Sequence, residues 1–282
     1  MANEEQIEYW NGDAGKRWAQ DDDIMARLLL PVSKALLDHA PIAGSQRALD
    51  IGCGGGSQSL MLAQRLSADA RVLGVDISGP LLEVARNKIT TDGKAAQLDF
   101  LQADAASYAF EPDSFDLLFS RFGVMFFDDP VAAFSNLRRA MTADGQLAFS
   151  CWQGMKSNEW TWIPIQTALQ HLPPPEPPVP NAPGPFAFAN PARLESILTE
   201  AGFTDIRLQP FNTALRISEA ATLGQAVQEL TRIGPMGRLL QDQTQQTLDK
   251  VFPALETALQ PYFREGALEL DSAIWLVTAA NG

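Results

Sequence analysis

The sequence predicts an α/β protein, a doubly wound and mostly parallel sheet of seven strands with a helical N-terminal extension and helical cap insertions. Three observations predict it. Between residues 46 and 151 short apolar runs alternate with helix-compatible stretches. The first run, Ala48-Leu49-Asp50-Ile51, climbs into Gly52-Cys53-Gly54-Gly55-Gly56 and straight on into a helix-forming segment. Near the C-terminus TDIRLQP and ALELDSAIWLVTAA supply two further strand patterns. A glycine cluster at a strand-to-helix turn admits positive φ and leaves the backbone bare, and the unpaired N–H groups that open the helix face the gap. The loop therefore points to a nucleotide-like ligand without saying which.

Composition narrows the classes. The chain has 282 residues, 46% of them hydrophobic and 20% charged, with 21 basic against 34 acidic side chains and a net charge of −13. That balance opposes nucleic-acid binding, which needs concentrated positive charge. Two cysteines, Cys53 and Cys151, and two histidines, His39 and His171, make no metal motif. Disulfides are not expected, MANEEQIEYW lacks the apolar stretch of a signal peptide, and no run reaches the roughly 20 residues of a membrane span. A cytoplasmic protein is the expectation.

In chain order, Tyr9, Trp10 and Trp18 stand in YWNGDAGKRWAQ, as a cluster docked on the domain or as a lid over a ligand. Residues 21–40 read as one amphipathic helix, with Asp21, Asp22 and Asp23 at its dipole-favoured start and Pro41 and Gly44 at its end. Strands are predicted at 46–51, 71–76, 97–102, 115–120 and 145–151, and helices at 57–67, 79–90 and 130–141. NEWTWIPIQTALQHL reads as a helix, and the proline-rich HLPPPEPPVPNAPGPF as a rigid surface loop. Asn190-Pro191 caps a helix that Gly202 closes. Residues 218–264 read as helical. The domain organisation is then 1–44 as a helical lid, 45–152 as the ligand-binding core, 153–189 as a helix and proline-rich insertion, and 190–282 as the rest of the core with a helical insertion at about 218–264.

In doubly wound sheets ligands bind at the carboxyl ends of the strands, so those ends carry the functional reading. The second strand ends at Asp76, 24 residues beyond Gly52, and the third at Ala103-Asp104-Ala105. A carboxylate at Asp76 is placed for two ribose hydroxyls, and one at Asp104 for an exocyclic adenine amine. Either acid alone also reads as a surface residue flanking a strand; the joint placement beside the glycine loop carries the case. The fourth strand ends at Ser120-Arg121-Phe122-Gly123.

ALDIGCGGGSQSL, VLGVDIS, LQADAA and FDLLFSRFGVMFFDDP resemble the successive motifs of class I S-adenosylmethionine-dependent methyltransferases. The nearest branch is that of bacterial small-molecule enzymes related to the ubiquinone/menaquinone C-methyltransferases. The resemblance covers roughly residues 45–152 and extends more loosely to both ends. It implies a Rossmann-like core, an antiparallel last strand, S-adenosylmethionine as cofactor, and insertions that cover the cofactor face. It also implies roles: Gly52 and Gly54, with Cys53 between them, pass the methionine part, Asp76 holds the ribose, Asp104 with Ala105 holds adenine, and Ile77 flanks its ring. Asp50 shapes the glycine turn and Ser120 with Arg121 and Phe122 passes under the cofactor; Trp18 is a further cofactor-binding candidate if the N-terminal aromatics form a lid rather than a docked cluster.

Methyl transfer from a sulfonium depends chiefly on alignment and requires no particular catalytic side chain. Candidate bases are His171, Tyr9 and the Asp128-Asp129 pair, although His171 also reads as a surface histidine and Asp128-Asp129 as a helix N-cap. Arg121 reads as a ligand for a cofactor or substrate carboxylate, or as half of a structural ion pair. Cys53 has no activating neighbour and reads as a small turn residue. The acceptor is expected to be a small molecule, aromatic or lipid-like if Phe122, Met125, Phe126, Phe127, Trp160, Trp162, Phe186 and Phe188 line its pocket; those residues read equally as core. Its reacting atom (O, N, C or S) and the oligomeric state stay open. Two other classes remain: a nicotinamide-dependent oxidoreductase, opposed by Ser57 where the third glycine of a dinucleotide loop would stand, and a non-catalytic cofactor-binding module, opposed by the intact loop and both acids.

Overall fold

The computed structural model describes residues 4–89, 96–173, 179 and 181–282. The chain forms two compact units, the first of residues 1–152, 182–211 and 275–282, the second of residues 153–181 and 212–274. Of the proline run, residues 174–178 and 180 lie outside the described residues, so the rigid-loop expectation for them is not addressed.

The first unit opens with four helices, α1 (Glu4–Asn11), α2 (Asp13–Gln20), α3 (Asp22–Leu28) and α4 (Leu30–His39). The single helix expected over residues 21–40 is therefore two. Pro31 stands in the first turn of α4, where its missing N–H costs nothing, and the chain turns at Leu29 to admit it. Strand and helix then alternate: β1 (Arg47–Ile51), α5 (Ser57–Arg65), β2 (Arg71–Asp76), α6 (Gly79–Asn87), β3 (Gln97–Gln102), β4 (Phe115–Arg121), α7 (Pro130–Arg139) and β5 (Met141–Trp152). Asp129 caps α7 by accepting from the Ala132 N–H at 3.0 Å, the cap role predicted for the Asp128-Asp129 pair. Later come α8 (Glu159–Leu169), α9 (Pro191–Glu200), β6 (Phe203–Ser218), α10 (Leu223–Leu230), α11 (Gly234–Leu240), α12 (Gln245–Leu259), β7 (Phe263–Arg264) and β8 (Ala267–Asn281).

The sheet is mostly parallel with antiparallel C-terminal strands, in the order β3-β2-β1-β4-β5-β8-β6. β7 was not foreseen; it is a two-residue strand that pairs antiparallel with β8. The order reverses at β1, which pairs parallel with β2 on one side and β4 on the other. In doubly wound sheets ligands bind at the carboxyl ends of the strands beside such a reversal.

β1 and β4 are covered on both faces, which is why Ala48, Leu49, Leu117, Leu118 and Phe119 have no exposed surface. Beside them Phe134, Phe149, Phe188 and Phe203 form an aromatic cluster with centroids 5.8–6.5 Å apart. Each such side chain contributes about 1.5–3 kcal/mol by burial. Phe188 is thus core rather than pocket lining. Phe127, edge-on to Phe134, and Met125, 1% exposed, are buried likewise.

The second unit is helical apart from the ends of β6 and β8 and the short β7, with α8 packed on α11 and α12. Asn158 is buried at its heart. Its amide donates to the Gln153 and Gly154 carbonyls, and its carbonyl oxygen accepts from the Ala273 N–H at 2.9 Å.

Candidate functional site

The turn after β1 is built on two close approaches. At Gly52 a Cβ would lie 2.6 Å from the Cα of Gly123, so the ends of β1 and β4 touch backbone to backbone. Ser120, fully buried, staples that contact: its hydroxyl donates to the Ile51 carbonyl at 2.7 Å and accepts from the Gly123 N–H at 3.2 Å. Ser120 thereby shapes the loop, with donor and acceptor both engaged inside the protein. Gly54 differs. Its φ is +53° and a Cβ there would meet nothing within 4 Å, so the bare backbone faces open space.

Asp76, at the end of β2, reaches that loop. Its Oδ2 accepts from the Gly54 N–H at 2.8 Å and its Oδ1 from the Ser78 N–H at 2.8 Å. Burial pushes its carboxyl upward, and the amides of Ser78, Gly54 and Ile77 oppose that shift. A carboxylate offers about four lone-pair sites, so an oriented acceptor remains for a ligand's hydroxyls. Next along the rim, the Ala103 N–H donates to the Asp76 carbonyl at 3.0 Å, which sets Asp104 beside it. Asp104 caps its own turn, with Oδ1 accepting from the Ala106 N–H at 3.0 Å and Oδ2 from the Ser107 hydroxyl at 3.2 Å. Ala105 is buried in that turn. Ile77 is half-buried, and its carbonyl accepts from the amides of Asn11 and Gln102 at 2.9 and 3.2 Å.

Under the glycine loop lies Asp50, 1% exposed, its Oδ2 accepting from the Ser59 hydroxyl of α5 at 2.5 Å. Burial raises it to about 7 against the opposing Ser59 bond and the nearby Arg121 charge. Arg121 donates from Nη1 to the Ser33 hydroxyl of α4 at 2.8 Å; burial depresses its pKa, and the charges of Asp50 and Asp22 work the other way. Asp50 Oδ1, Arg121 Nε and both amide atoms of the neighbouring Gln58 are buried without hydrogen-bond partners. Cys53 is a buried free thiol pushed well upward by burial, the turn residue expected and not a nucleophile.

The N-terminal helices dock on the same rim. The Asn11 amide donates to the Ile77 carbonyl at 2.9 Å while its oxygen accepts from the Gly79 N–H at 3.0 Å, and the Ser78 hydroxyl donates to the Trp10 carbonyl at 2.8 Å. Trp10 is the hub of an aromatic group, edge-on to Tyr9, Trp18 and Phe126 at 5.3, 5.6 and 5.7 Å. Asp22 at the start of α3 pairs with Lys88, which also donates to the Ser57 hydroxyl, and its carboxylate lies where a Gly55 Cβ would stand.

The structure thus brings together Gly52, Cys53, Gly54, Asp50, Asp76, Asp104 and Ser120, with Trp18 and Tyr9 in the helices docked beside them. His171 is exposed just past α8, in the second unit. Asn11, Ser33, Gln58 and Lys88 were missed by sequence reasoning. Asn11, Ser33 and Lys88 have partners as far as 91, 88 and 66 residues away, Gln58 has none for its amide, and no local pattern announces such placements. Among the described residues no cluster of His, Cys, Asp and Glu could hold a metal ion, and no helix is long and apolar enough to cross a membrane.

This set fits an adenosine with an amino-acid tail: a bare loop at Gly54, an oriented carboxylate for hydroxyls, and unpaired buried polar atoms beyond. Comparison with known proteins agrees. Residues 49–149 match the family described as methyltransferase domain. The chain is 27% identical over 159 residues to the aklanonic acid methyltransferase of Streptomyces sp. (strain C5), covering 54% of this chain and 71% of that one. It is 25% identical over 205 residues to the demethylmenaquinone methyltransferase of Lactiplantibacillus plantarum, covering 64% and 79%. Among solved structures, phosphoethanolamine N-methyltransferase 2 of Haemonchus contortus in complex with S-adenosyl-L-methionine superposes with a TM-score of 0.54 at 20% identity, over 97% of this chain and 59% of that one. The chain thus carries a methyltransferase domain over residues 49–149 and is similar to S-adenosylmethionine-dependent methyltransferases, the ubiquinone/menaquinone C-methyltransferases among them.

Proposed function

We propose that the protein methylates a small aromatic or lipid-like acceptor whose reacting atom is already acidic, and that it works by holding donor and acceptor in line. The observation that carries this reading is the Gly54 N–H bond to Asp76 Oδ2, which fixes a carboxylate against the bare loop where an adenosine ribose would lie. In this reading Asp76 accepts from the ribose hydroxyls, Asp104 and Ala105 flank adenine with Ile77, and Gly52, Cys53 and Gly54 pass the methionine part. Ser120 acts one step removed, by fixing the loop. Trp18 and Tyr9, tied to Trp10, close the rim from the N-terminal side.

When bound, the cofactor supplies a methyl group on a sulfonium. Bound there, it would offer its methyl carbon to the electron pair of an already ionised acceptor, with the neutral thioether as leaving group. No side chain in the first unit is assigned as base. Asp129 is committed to its cap and Cys53 holds its proton. Alignment is sufficient in principle, since orientation contributes roughly 7–11 kcal/mol to such reactions. An acidic phenol or enol is favoured because it is ionised without a base. The two relatives named for aklanonic acid and demethylmenaquinone, both small organic molecules, support that class. A net charge of −13 argues against nucleic acid as acceptor, and two unpaired buried thiols suit a reducing cytoplasm.

The test is calorimetric titration with S-adenosylmethionine and with nicotinamide dinucleotides, followed by methyl-labelled cofactor and a panel of hydroxylated quinones and phenols. Micromolar binding of the first alone, with label transferred to a panel member, is expected. Binding of a nicotinamide dinucleotide instead favours the oxidoreductase. Cofactor binding with no S-adenosylhomocysteine formed from any acceptor favours a non-catalytic module.

A further inference from the structure

We infer that Asp22 makes the rim reject phosphorylated adenosines, because its carboxylate occupies the place at the start of α5 that a 5′-phosphate would take. The inference rests on the rim being a site for an adenosine cofactor.

In a glycine turn between strand and helix, an anion sits against the first N–H groups of the helix, at the positive end of its dipole. α5 opens from Gly56, left-handed at φ +77° and without a side chain to cap with, and its first turn holds no acid. The N-terminal helices supply the anion instead. A Cβ on Gly55 would coincide with the Asp22 carboxylate, whereas one on Gly54 would meet nothing within 4 Å. Two neighbouring glycines are therefore bare for different reasons. Gly54 faces open space, and Gly55 makes room for a side chain of the same chain.

Asp22 is held in that position. It pairs with Lys88, whose ammonium also donates to the hydroxyl of Ser57, the first residue of α5, at 2.9 Å. Lys88 is the C-cap of α6, where a cation complements the helix dipole. The Asp22 and Lys88 side chains are 12% and 22% exposed, so solvent screens their charges only in part. Asp23, 4.0 Å from the same ammonium, is 88% exposed and competes little.

An adenosine whose ribose meets Asp76 carries its 5′ substituent along this loop. A 5′-phosphate there would meet a carboxylate already in place, and like charges repel. The donors that could receive it, Lys88 and through it Ser57, are engaged with Asp22 and with each other. A sulfonium is cationic and meets no such opposition. Asp22 is thus a specificity-determining residue. Without its carboxylate, Lys88 becomes a free donor beside the open end of α5, a ready phosphate ligand.

Wild type, Asp22→Ala, Asp22→Asn and the double variant Asp22→Ala/Lys88→Met are titrated calorimetrically with S-adenosylhomocysteine and with ADP. Wild type should bind S-adenosylhomocysteine and hold ADP far more weakly. Asp22→Ala should raise the affinity for ADP by about tenfold or more, the worth of one charge-assisted bond, without raising that for S-adenosylhomocysteine. The double variant should lose most of this gain, because the Lys88 ammonium is what receives the phosphate. Asp22→Asn, which keeps the volume and removes the charge, should show a smaller gain and serves if the alanine variant does not fold. A residue that only packs the helices would move both ligands in the same direction. No gain for ADP in either single variant, a gain that survives the loss of Lys88, or wild type that binds ADP as tightly as S-adenosylhomocysteine overturns the inference. Wild type that does not bind S-adenosylhomocysteine refutes the cofactor site itself.

Discussion

The two sides of the rim treat buried carboxylates in opposite ways. At the end of β2, Asp76 has an amide N–H on each oxygen, Gly54 on one and Ser78 on the other. At β1, Asp50 has one hydroxyl on one oxygen and nothing on the other. Burial raises both, but backbone amides oppose it at Asp76, whereas Asp50 reaches about 7. The difference follows from what each side has to hold. Neutral ribose hydroxyls need a fixed acceptor, and backbone amides orient one before the ligand arrives. The other side presents a bare loop, and Asp50 beneath it keeps an unpartnered oxygen. One side is pre-organised, and the other is not.

The largest effect should come from breaking the pre-organised side. Asp76→Ala removes the acceptor for two hydroxyls and orphans the Gly54 and Ser78 amides. Charge-assisted bonds contribute roughly 1.5–3 kcal/mol each, so affinity should fall by about 10²–10⁴-fold. Because the loss lies on the adenosine side, calorimetry should find it equally for S-adenosylhomocysteine and 5′-methylthioadenosine. A loss confined to the ligand with an amino-acid end would reverse the assignment of the two sides.

The next effect concerns stability and pH at Asp50, which faces Arg121 and Asp76 and bonds Ser59. Its carboxyl rises from 3.8 to about 7 on folding. Between those values the folded chain keeps a proton that the unfolded chain has released, so its contribution to stability falls as pH rises through that window. At about 1.4 kcal/mol per pKa unit the fall is roughly 4 kcal/mol at most. Asp50→Asn cannot titrate. Urea midpoints at pH 4.5 and 7.5 should therefore show wild type losing ground to Asp50→Asn as pH rises. A wild type that gains on the variant over this range would contradict the burial argument.

The sequence made one side of the rim more legible than the other, for a physical reason. Strands 71–76 and 97–102 were readable to the residue because apolar runs end there in acids, and strand ends are where such sheets bind ligands. The glycine turn was readable because few residues other than glycine tolerate φ of +53° at Gly54. Local chemistry was also misread. The strand expected over 145–151 begins already at Met141, and its register against β4 shifts between Phe115 and Leu117. Pro210 suggests the end of β6, which continues to Ser218. The carboxylate of Asp104, read as facing a ligand, also accepts an amide and a hydroxyl from its own turn, contacts that no strand-end pattern announces. The Asp50 and Arg121 side was least legible, since β4, α4 and α5 must come together before two residues 71 apart in sequence sense each other's charge.

The smallest effect should come from Asn11, which ties the N-terminal helices to the pre-organised side. Its amide and carbonyl bridge Ile77 and Gly79, the residues that flank Ser78, and Ser78 in turn donates one of the amides that fix Asp76. Asn11→Ala deletes the two partly buried hydrogen bonds to Ile77 and Gly79, with two exposed ones to Ile7 and Gln102, a loss of about 1–3 kcal/mol. If the helices only pack, that loss should appear as a lower melting temperature with cofactor affinity unchanged. If they also close the rim, the cofactor dissociation rate in stopped flow should rise severalfold while the association rate holds, because Trp10 and Trp18 move with Asn11. The adenosine-side assignment makes a sharper demand: any increase in dissociation rate must be the same for S-adenosylhomocysteine and 5′-methylthioadenosine. An increase seen only for the former would mean that the helices guard the cofactor's amino-acid end, and the Asn11 bridge would then belong with that side rather than with Asp76.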